Sequence, residues 1–371
     1  MPSMKIEKGE ISSSQLMFTV TGFLQGAHLL VTFASGITRH DTWLAVLAAV
    51  AVSIPFILIY IALARKFPGK NLIQFNDIIY GPFLGKVISM LYIGYFIMLA
   101  ALNLRTMGNF IRANLMQETP VAAVLIMFVF VCAWAVRNGI EVIARCSFIF
   151  VMITGVLVLI VTILLLKDVK VTNFLPVFEI PFGKFIQGTH IIATIPFCQI
   201  LVFTMVIPYV NNTKKIRSSV LLGLLLGGLQ LLVIVARDIA VLGITNSIMS
   251  SPPYQATLLI DIAHIITRLD ILVAIVLLNT LFLRVSIYFY ATVLGIAQLL
   301  RLRSYAPLTT PIGIIIICLA ILVYDSIVEQ LNFNATIWPV YSVPFELLVP
   351  ILSLFIAKIR RLPKKQEGEC I

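Results

Sequence analysis

Long apolar runs limit what this chain can fold into more than any other feature. One of them is LAVLAAVAVSIPFILIYIALA, at residues 44–64. A run of about 20 apolar residues can cross the hydrocarbon core of a bilayer as an α-helix. Because hydrocarbon offers backbone polar groups no partner, spans must be helices or closed barrels, and these runs lack the alternation of a barrel strand. With 60% hydrophobic and 12% charged residues, the chain is expected to be an all-α integral membrane protein.

The apolar runs predict ten transmembrane helices, named spans one to ten. They cover residues 13–36, 42–64, 86–108, 119–136, 143–166, 189–210, 218–243, 269–300, 308–328 and 338–358. We predict one membrane domain at 13–358, with a first repeat at about 13–166 and a second at about 189–358. The tails are 1–12 and 359–371. Five spans per half place the two repeats in opposite orientations, with broken helices in spans one and six.

Basic residues predict the orientation. The net charge is +11, from 27 Lys and Arg against 16 Asp and Glu. With the N-terminus inside, 18 of the 27 fall on inner segments and six on outer ones, while Arg105, Arg237 and Arg284 fall within spans. This bias predicts that both termini are cytoplasmic. The positive charge has no basic groove or aromatic platform with it, so nucleic acid is not an expected partner.

Segments at the ends of spans complete this description. The segment KNLIQFNDIIYGPFLGK at 70–86 predicts a surface helix, and SPPYQATLLIDIAHIITRLD at 251–270 predicts an outer helical loop. Trp43, Trp134 and Trp338 fall at predicted helix ends, as in an interfacial aromatic belt.

Polar and helix-breaking residues interrupt corresponding spans of the two halves. The first span contains TGFLQGAHLL, with Gly22, Gln25, Gly26 and His28, and the first span of the second half has Pro196 near its middle. The glycines either let helices pack closely or allow the helix to unwind. Paired interruptions favour unwinding at Gly22–Gly26, because such breaks mark sites at repeat interfaces. His28 is either a donor in the cavity or a packing residue.

Unwound backbone at membrane depth is tolerated where it lines a cavity. The broken helix ends carry partial charges of both signs, which suit a small zwitterion such as an amino acid. Five cysteines and four histidines are dispersed without ligand spacing, so we expect no metal site and no cofactor. The sequence also lacks a nucleophile elbow, a phosphate loop or a recognisable carboxylate pair, which argues against an enzyme.

Other intramembrane polar groups lie on spans three and eight. Tyr95 and Leu99 share a face at mid-helix, where they either wall the cavity or contact neighbouring helices. Ser286 and Tyr290 share another face, and Arg284 lies on nearly the opposite side from Ser286. A charge at mid-membrane is a functional hypothesis by default. Arg284 is either a built-in cation at a position where a transporter would bind an ion, or the structural partner of Glu346 in span ten.

These residues lie within a pattern that resembles the B subunits of bacterial spore germinant receptors, in the amino acid–polyamine–organocation transporter superfamily. The similar segments run in order over nearly the whole chain. They are EKGEISSSQLMF, HDTWLAVLAAV, LARKFPGKNLIQF, ETPVAAVLIM, VRNGIEVIAR, FLPV, IPFCQILVFTMVIPYVN and VLGI.

The resemblance implies an inverted five-plus-five helix fold and a nutrient sensor in the spore inner membrane. It also implies an A-type membrane subunit and a C-type lipoprotein as partners, and a small germinant, often an amino acid, as ligand. Ligand contacts of the family carry over to one set of positions. They are Gly26, Ala27, Tyr95, Leu99, Pro196, Phe197, Ser286 and Tyr290. His28 departs from the family pattern, since a small residue is expected after the break, and alanine is therefore not transferred as the ligand.

Three functions remain open from the sequence. The first is a germinant receptor subunit, the second an ion-coupled amino-acid transporter, and the third a channel subunit that releases ions. Span five, VIARCSFIFVMITGVLVLIVTILLL, has no ionisable residue beyond its inner end. This argues against proton coupling through that helix, but leaves sodium coupling through backbone carbonyls and Ser286 open.

Overall fold

The structure, a computed structural model, describes Glu7, residues 9–260 and residues 270–363. This part of the chain folds into helices and turns, and a single bridge between Ile11 and Val210 is its strand-like pairing. The helices are α1 (Ser13–Gln25), α2 (Thr32–Thr38), α3 (Thr42–Lys66), α4 (Leu72–Tyr80), α5 (Leu84–Asn114), α6 (Val121–Arg137), α7 (Ile140–Leu164), α8 (Phe182–Ile192), α9 (Ile216–Leu242), α10 (Pro252–Leu258), α11 (Asp270–Leu299), α12 (Thr309–Leu322), α13 (Ile327–Thr336), α14 (Trp338–Val343) and α15 (Val349–Ile359).

Length and composition identify the helices that can cross a membrane. In the described ranges, seven helical segments pass both criteria. They are Thr32–Lys66, Leu84–Asn114, Ile140–Leu164, Phe182–Met205, Thr213–Ser247, Ile271–Leu299 and Trp338–Ile359. The shorter helix α6 covers span four, and span one is divided between α1 and α2. The predicted all-α membrane fold is confirmed, while the total of ten spans stays a prediction.

Span nine ends earlier than predicted. The sequence predicts a helix over 308–328, but α12 ends at Leu322 and the chain bends by 99° into α13. Polar residues explain the stop, because Ser326 caps the new helix through a bond from the Glu329 N–H to its Oγ (3.1 Å).

The segments between spans agree in part with their predictions. The surface helix is present as α4, and Asn71 and Gln74 cap it reciprocally at 3.1 and 3.2 Å. The outer loop contains α10, whereas the rest of that prediction, with His264 and Arg268, lies outside the described residues at 261–269. The same holds for residues 1–6, 8 and 364–371 of the predicted tails.

Span six is the most deeply buried of the seven segments that could cross a membrane. In Phe182–Met205, 94% of the most apolar stretch is buried, against 28% in α7 and in the last span. Apolar side chains such as Phe130 and Phe355 face outward, as expected for helices in contact with lipid. Trp134 is 63% exposed, but Trp338 is 1% exposed within an aromatic cluster, so its predicted interfacial position is wrong.

The segment before α1 ties helices together at the predicted inner end. This N-terminal strap consists of Glu7 and residues 9–12. The Ile11 N–H donates to the Tyr209 carbonyl (2.9 Å), and the Asn211 N–H donates to the Ile11 carbonyl (3.0 Å). The Tyr305 hydroxyl donates to Glu7 Oε2 (2.8 Å). The strap therefore joins the inner end of span six to the segment that follows α11.

Candidate functional site

Span one is broken at mid-depth by a stretch of turns. Helix α1 ends at Gln25, and residues 26–31 form turns before α2 begins. The Ala27 N–H bonds to the Leu24 carbonyl (2.9 Å), and the Leu30 N–H bonds to the Ala27 carbonyl (2.8 Å). The break therefore begins at Gly26, one turn after Gly22, which lies inside regular helix. The predicted unwinding is thus present, but it begins later than the sequence suggested.

Span six is distorted without a turn. After α8, Ala193–Phe197 form a π-helical segment that contains Pro196, and Cys198–Met205 form a 3-10 helix. Proline has no N–H for the preceding turn, which accounts for wide and narrow helix types at this point. Such π-segments occur frequently at functional sites. All residues from Ala193 to Met205 are buried.

Arg284 of α11 bridges the two interruptions. Its side chain is fully buried, and its Nη1 donates to the Phe23 carbonyl (2.9 Å) at the end of α1. Its Nη2 donates to the Ile195 carbonyl (3.0 Å) in the π-segment and to Gln199 Oε1. The Tyr288 hydroxyl also donates to Gln199 Oε1 (2.6 Å). A single guanidinium therefore satisfies carbonyl groups at both breaks.

The charge of Arg284 is balanced by dipoles and a ring. Its guanidinium carbon lies 4.5 Å from the centroid of the Phe23 ring, within the range of a cation–π contact. The ion pairs found in the described ranges are Arg145–Glu141 and Arg237–Asp238. The alternative in which Arg284 pairs directly with Glu346 is therefore wrong.

The two glycines of span one allow α11 to approach closely. A Cβ on Gly22 would lie 2.4 Å from Leu283 Cδ1. A Cβ on Gly26 would lie 2.9 Å from the Thr280 carbonyl oxygen and 3.4 Å from Arg284 Cδ. The space beside Gly26, where the sequence predicts a cavity, is therefore filled by α11, and both glycines serve helix packing.

Glu346 forms a second buried polar centre. It lies in a π-helical segment of span ten, Pro344–Leu348, and it is fully buried. The Tyr95 hydroxyl donates to its Oε1 (2.5 Å), while the Tyr60 hydroxyl donates to its backbone carbonyl (2.5 Å). The Tyr95 ring stacks on Phe345 at 4.5 Å, which fixes the direction of its hydroxyl. Tyr95 thus donates a hydrogen bond to the Glu346 carboxyl group, in addition to packing against its neighbours.

Unused polar atoms remain at both centres. Within the described part of the chain, Arg284 Nε and Glu346 Oε2 have no hydrogen-bond partner. Buried polar atoms are nearly always paired, so each unpaired one requires an explanation. One is a donor on a cation and the other an acceptor on a carboxyl group.

The remaining predicted residues of spans one, three and six are buried nearby. Ala27 lies in the break, and Leu99 follows Tyr95 by one turn on α5. The Leu99 carbonyl accepts a bond from Asn103 Nδ2 (2.8 Å). Phe197 ends the π-segment and faces α9, since its ring edge would lie 3.7 Å from a Cβ on Gly228.

Ser286 and Tyr290 lie away from this group. Ser286 is next to Cys132 of α6, and the Tyr290 ring packs against Tyr305 at 5.8 Å. Both face away from Arg284, as their helical spacing predicts. The structure therefore does not bring these two residues together with the helix breaks.

Gln25 and His28 face the opposite side, towards α9. Gln25 Nε2 donates to Gln230 Oε1, and His28 Nδ1 lies 2.9 Å from the Gln25 carbonyl oxygen. His28 also lines two adjoining cavities of about 20 Å³ each, which reach Arg237 and Asp238. Each cavity has room for about one water molecule. Among the described residues His28 Nε2 has no hydrogen-bond partner, so both predicted roles of His28, cavity donor and packing residue, stay open.

Two glutamines of this site are missing from the sequence prediction. Gln199 Oε1 accepts hydrogen bonds from Arg284 and Tyr288, and Gln230 Oε1 accepts one from Gln25. Each is an isolated amide in a long apolar run, which is a signal of interhelical hydrogen bonding. In the described ranges, no three His, Cys, Asp or Glu side chains come together as metal ligands would.

Comparison with solved structures places the fold among transporters. The chain is similar to Mhp1, a nucleobase-cation-symport-1 family transporter solved in a closed conformation with bromovinylhydantoin bound. The TM-score is 0.74 at 12% identity, over 98% of this chain and 82% of that one. A Na⁺-coupled sialic acid symporter in a substrate-bound outward-open state gives a TM-score of 0.63 at 11% identity, over 94% and 78% of the two chains.

Comparison with known sequences is more specific. The chain is 30% identical to spore germination protein KB of Bacillus subtilis (strain 168), over 98% of this chain and 99% of that protein. It is 22% identical to spore germination protein B2 of the same organism, over 60% of each chain. A family model described as spore germination protein matches residues 10–328. With its multi-pass helical fold, the chain belongs to the spore germination protein family of transporter-like membrane proteins.

Proposed function

We propose that this protein is the membrane subunit of a nutrient-germinant receptor that binds a small germinant in the middle of its helix bundle. The observation that supports this proposal is the buried Arg284 guanidinium, which bonds to the Phe23 and Ile195 carbonyls at both helix breaks. A ligand that contacts Arg284 acts on both interrupted spans at once. Ligand can shift the packing equilibrium only by its difference in affinity between the two packings, and this shared contact provides such a difference.

The class of germinant follows from the unused atoms. Among the residues that the structure describes, the donor Arg284 Nε and the acceptor Glu346 Oε2 have no hydrogen-bond partner. A carboxylate suits the guanidinium and an ammonium group suits the carboxyl group. A zwitterionic amino acid carries both groups, so it is the ligand that this pair of atoms favours. The proposed ligand contacts are therefore Arg284 and Glu346, whereas the sequence predicts Gly26, Tyr95 and Pro196.

The same arginine argues for a sensor rather than an ion-coupled transporter. In transporters with broken helices, unwound backbone carbonyls coordinate the coupling ion. Here the Phe23 and Ile195 carbonyls accept bonds from a cation that is covalently part of the chain. A cation that is part of the chain cannot enter and leave with each substrate molecule. Arg284 is therefore suited to change the packing of the two interrupted spans rather than to drive transport.

The family membership supports the remaining parts of the proposal. Relatives include proteins named spore germination protein B2 and A2, which is consistent with a receptor of several subunits, and we propose an A-type membrane subunit as one partner of this chain. We place the protein in the spore inner membrane with both termini in the cytoplasm and a C-type lipoprotein as a further partner. The germinant signal passes from the helix breaks to these subunits.

Binding and flux measurements on the purified protein test the proposal. In nanodiscs, we expect at least one standard amino acid to bind, and Arg284→Lys to weaken its binding by about tenfold or more because the guanidinium geometry is lost. Arg145→Lys, at an exposed pair, is the matched control. In proteoliposomes with a proton or sodium gradient, we expect no concentrative uptake. Concentrative uptake would establish a transporter instead, and a ligand-dependent ion current would establish a channel subunit.

A further inference from the structure

A groove at the predicted inner end lies apart from the residues proposed to bind the germinant. It has a volume of about 240 Å³ and lies between the end of α3 and the segment that joins span six to α9. Ala64, Ile207 and Ile216 line it with buried apolar side chains. The groove is therefore a formed cavity beside the ends of three membrane helices.

The rim of this groove is basic. Arg65 and Lys70 come from the α3 side, and Lys214 comes from the α9 side, next to the Thr213 hydroxyl. The sequence has no Asp or Glu at 42–76 or at 180–237, so neither wall supplies a counter-charge. Asp77 is the first carboxylate after the α3 wall, and it interacts electrostatically with Lys86 and Arg301 instead.

A tight turn holds one wall of the groove in place. The Lys70 N–H bonds to the Phe67 carbonyl (3.1 Å), and Gly69 between them has φ +71°, a conformation that favours glycine. This turn sets Lys70 after the end of α3, while α3 itself carries Arg65. Two cations of the rim therefore have fixed backbone positions around the apolar floor.

We propose that this groove binds a phosphate group attached to an apolar body, as in the headgroup of an anionic phospholipid. The described residues that line the groove include three cations and no carboxylate, which favours an anion, and Arg and Lys are the usual ligands of phosphate. The groove lies where spans two, six and seven end, which is the level of lipid headgroups. The apolar floor distinguishes a lipid phosphate from free inorganic phosphate, which needs the basic rim alone.

A phosphate bound in this groove would act on the inner end of span six. Ile207 and Pro208 line the groove, and Tyr209 next to them accepts the bond from Ile11 of the N-terminal strap. An anion held between Arg65, Lys70 and Lys214 would link α3 to the inner end of span six. The lipid composition of the inner leaflet would thereby influence the same helix end that the strap holds.

Binding measurements on two matched double variants test this site. Lys70→Gln/Lys214→Gln removes two rim cations, and Lys170→Gln/Lys184→Gln removes two exposed lysines of the predicted outer side. Native mass spectrometry of protein in micelles would follow titrations with short-chain phosphatidylglycerol, phosphatidylcholine and inorganic phosphate. We expect phosphatidylglycerol to bind best, and the rim variant to bind it about 30-fold more weakly than the control variant.

The results of this experiment distinguish a lipid phosphate from free inorganic phosphate, and they also show when the proposal is wrong. Inorganic phosphate that binds as tightly as phosphatidylglycerol, and that loses affinity in the rim variant, would support the phosphate site with a free anion as its ligand. Equal affinity of phosphatidylglycerol for the rim and control variants would overturn the proposal. Equal binding of phosphatidylglycerol and phosphatidylcholine to the unchanged protein would overturn it as well. Thermal unfolding of the rim variant at the same temperature as the control variant serves as a check that its helices are correctly packed.

Discussion

Spans one and six are both interrupted, but their backbones depart from the α-helix in different ways. Span one changes direction through turns at residues 26–31, and its glycines lie against α11. Span six continues as one rod, with a π-segment around Pro196 followed by 3-10 helix. Glycine and proline therefore interrupt helices by different means. Glycine permits a close approach between helices, whereas proline removes a backbone donor.

The two interruptions also differ in their polar partners. Gln25 at the first break bonds to the Gln230 amide of α9, which is a neutral contact. Gln199 in span six bonds to a guanidinium and a phenol, and Arg284 connects it with the end of α1. The charged contacts are thus concentrated on span six and α11. Span one takes part in them through Phe23, whose carbonyl accepts a bond from Arg284 and whose ring lies against the guanidinium.

Replacing Arg284 should give the largest effect, because it removes the bridge between the two breaks. We expect Arg284→Gln to lower the free energy of unfolding by about 3 kcal/mol or more, since bonds from a charged donor contribute about 1.5–3 kcal/mol each. Equilibrium unfolding in mixed micelles measures this change. Arg145→Gln at an exposed pair should cost no more than about 0.5 kcal/mol. Equal losses in the two variants would show that Arg284 is not a bridge.

The two glutamines give the next contrast. Gln199→Leu leaves the donors of Arg284 and Tyr288 without their acceptor and should cost about 3 kcal/mol, whereas Gln25→Leu orphans one amide and should cost about 1–2 kcal/mol. Both substitutions insert a similar apolar side chain at a buried position of an interrupted span. A larger loss for Gln25→Leu in the same unfolding assay would reverse the proposed distribution of charge contacts.

Two glycines test the importance of close approach. Gly26→Ala places a Cβ 2.9 Å from a backbone oxygen of α11, so we expect a loss of about 1–3 kcal/mol. Gly155→Ala, on α7, adds a Cβ with no atom within 4 Å and should stabilise its helix by up to about 1 kcal/mol. If thermal unfolding showed the same shift for both, the packing at Gly26 would be looser than described.

Proline should give the smallest change in stability and a local change in protection. Pro196→Ala restores an N–H in the π-segment, and we expect the free energy of unfolding to change by about 1 kcal/mol or less. Amide hydrogen exchange at 197–200 should become slower, because the segment can form regular α-helical bonds. Unchanged exchange there would mean that helix packing, rather than the proline, imposes the π-segment.

Local signals account for what the sequence predicts well. Apolar length and caps such as Ser12 with Gln15 define most helices, and Pro196 marks the distorted part of span six. The face that carries Arg284 is separated correctly from that of Ser286 by helical spacing. Which of these faces meets the broken helices depends on how α11 packs, and spacing within one helix does not contain that information.

Non-local contacts account for the errors. The first break lies later than Gly22 because Leu283 packs against that glycine and the helix continues past it. Trp338 stacks with Tyr95 at 5.6 Å rather than facing an interface, and this partner lies on a helix distant in sequence. Gln199 and Gln230 acquire their roles from helices distant in sequence.

The N-terminal strap has a mechanical consequence for the two broken helices. Ile11, bonded on both sides to Tyr209 and Asn211, lies two residues before α1 begins. A tilt of α1 therefore pulls directly on the inner end of span six, over a tether too short to absorb the displacement. Arg284 couples the first and sixth spans at mid-depth, and Ile11 couples them at their inner ends. Rotation of one of these spans therefore requires motion of the other.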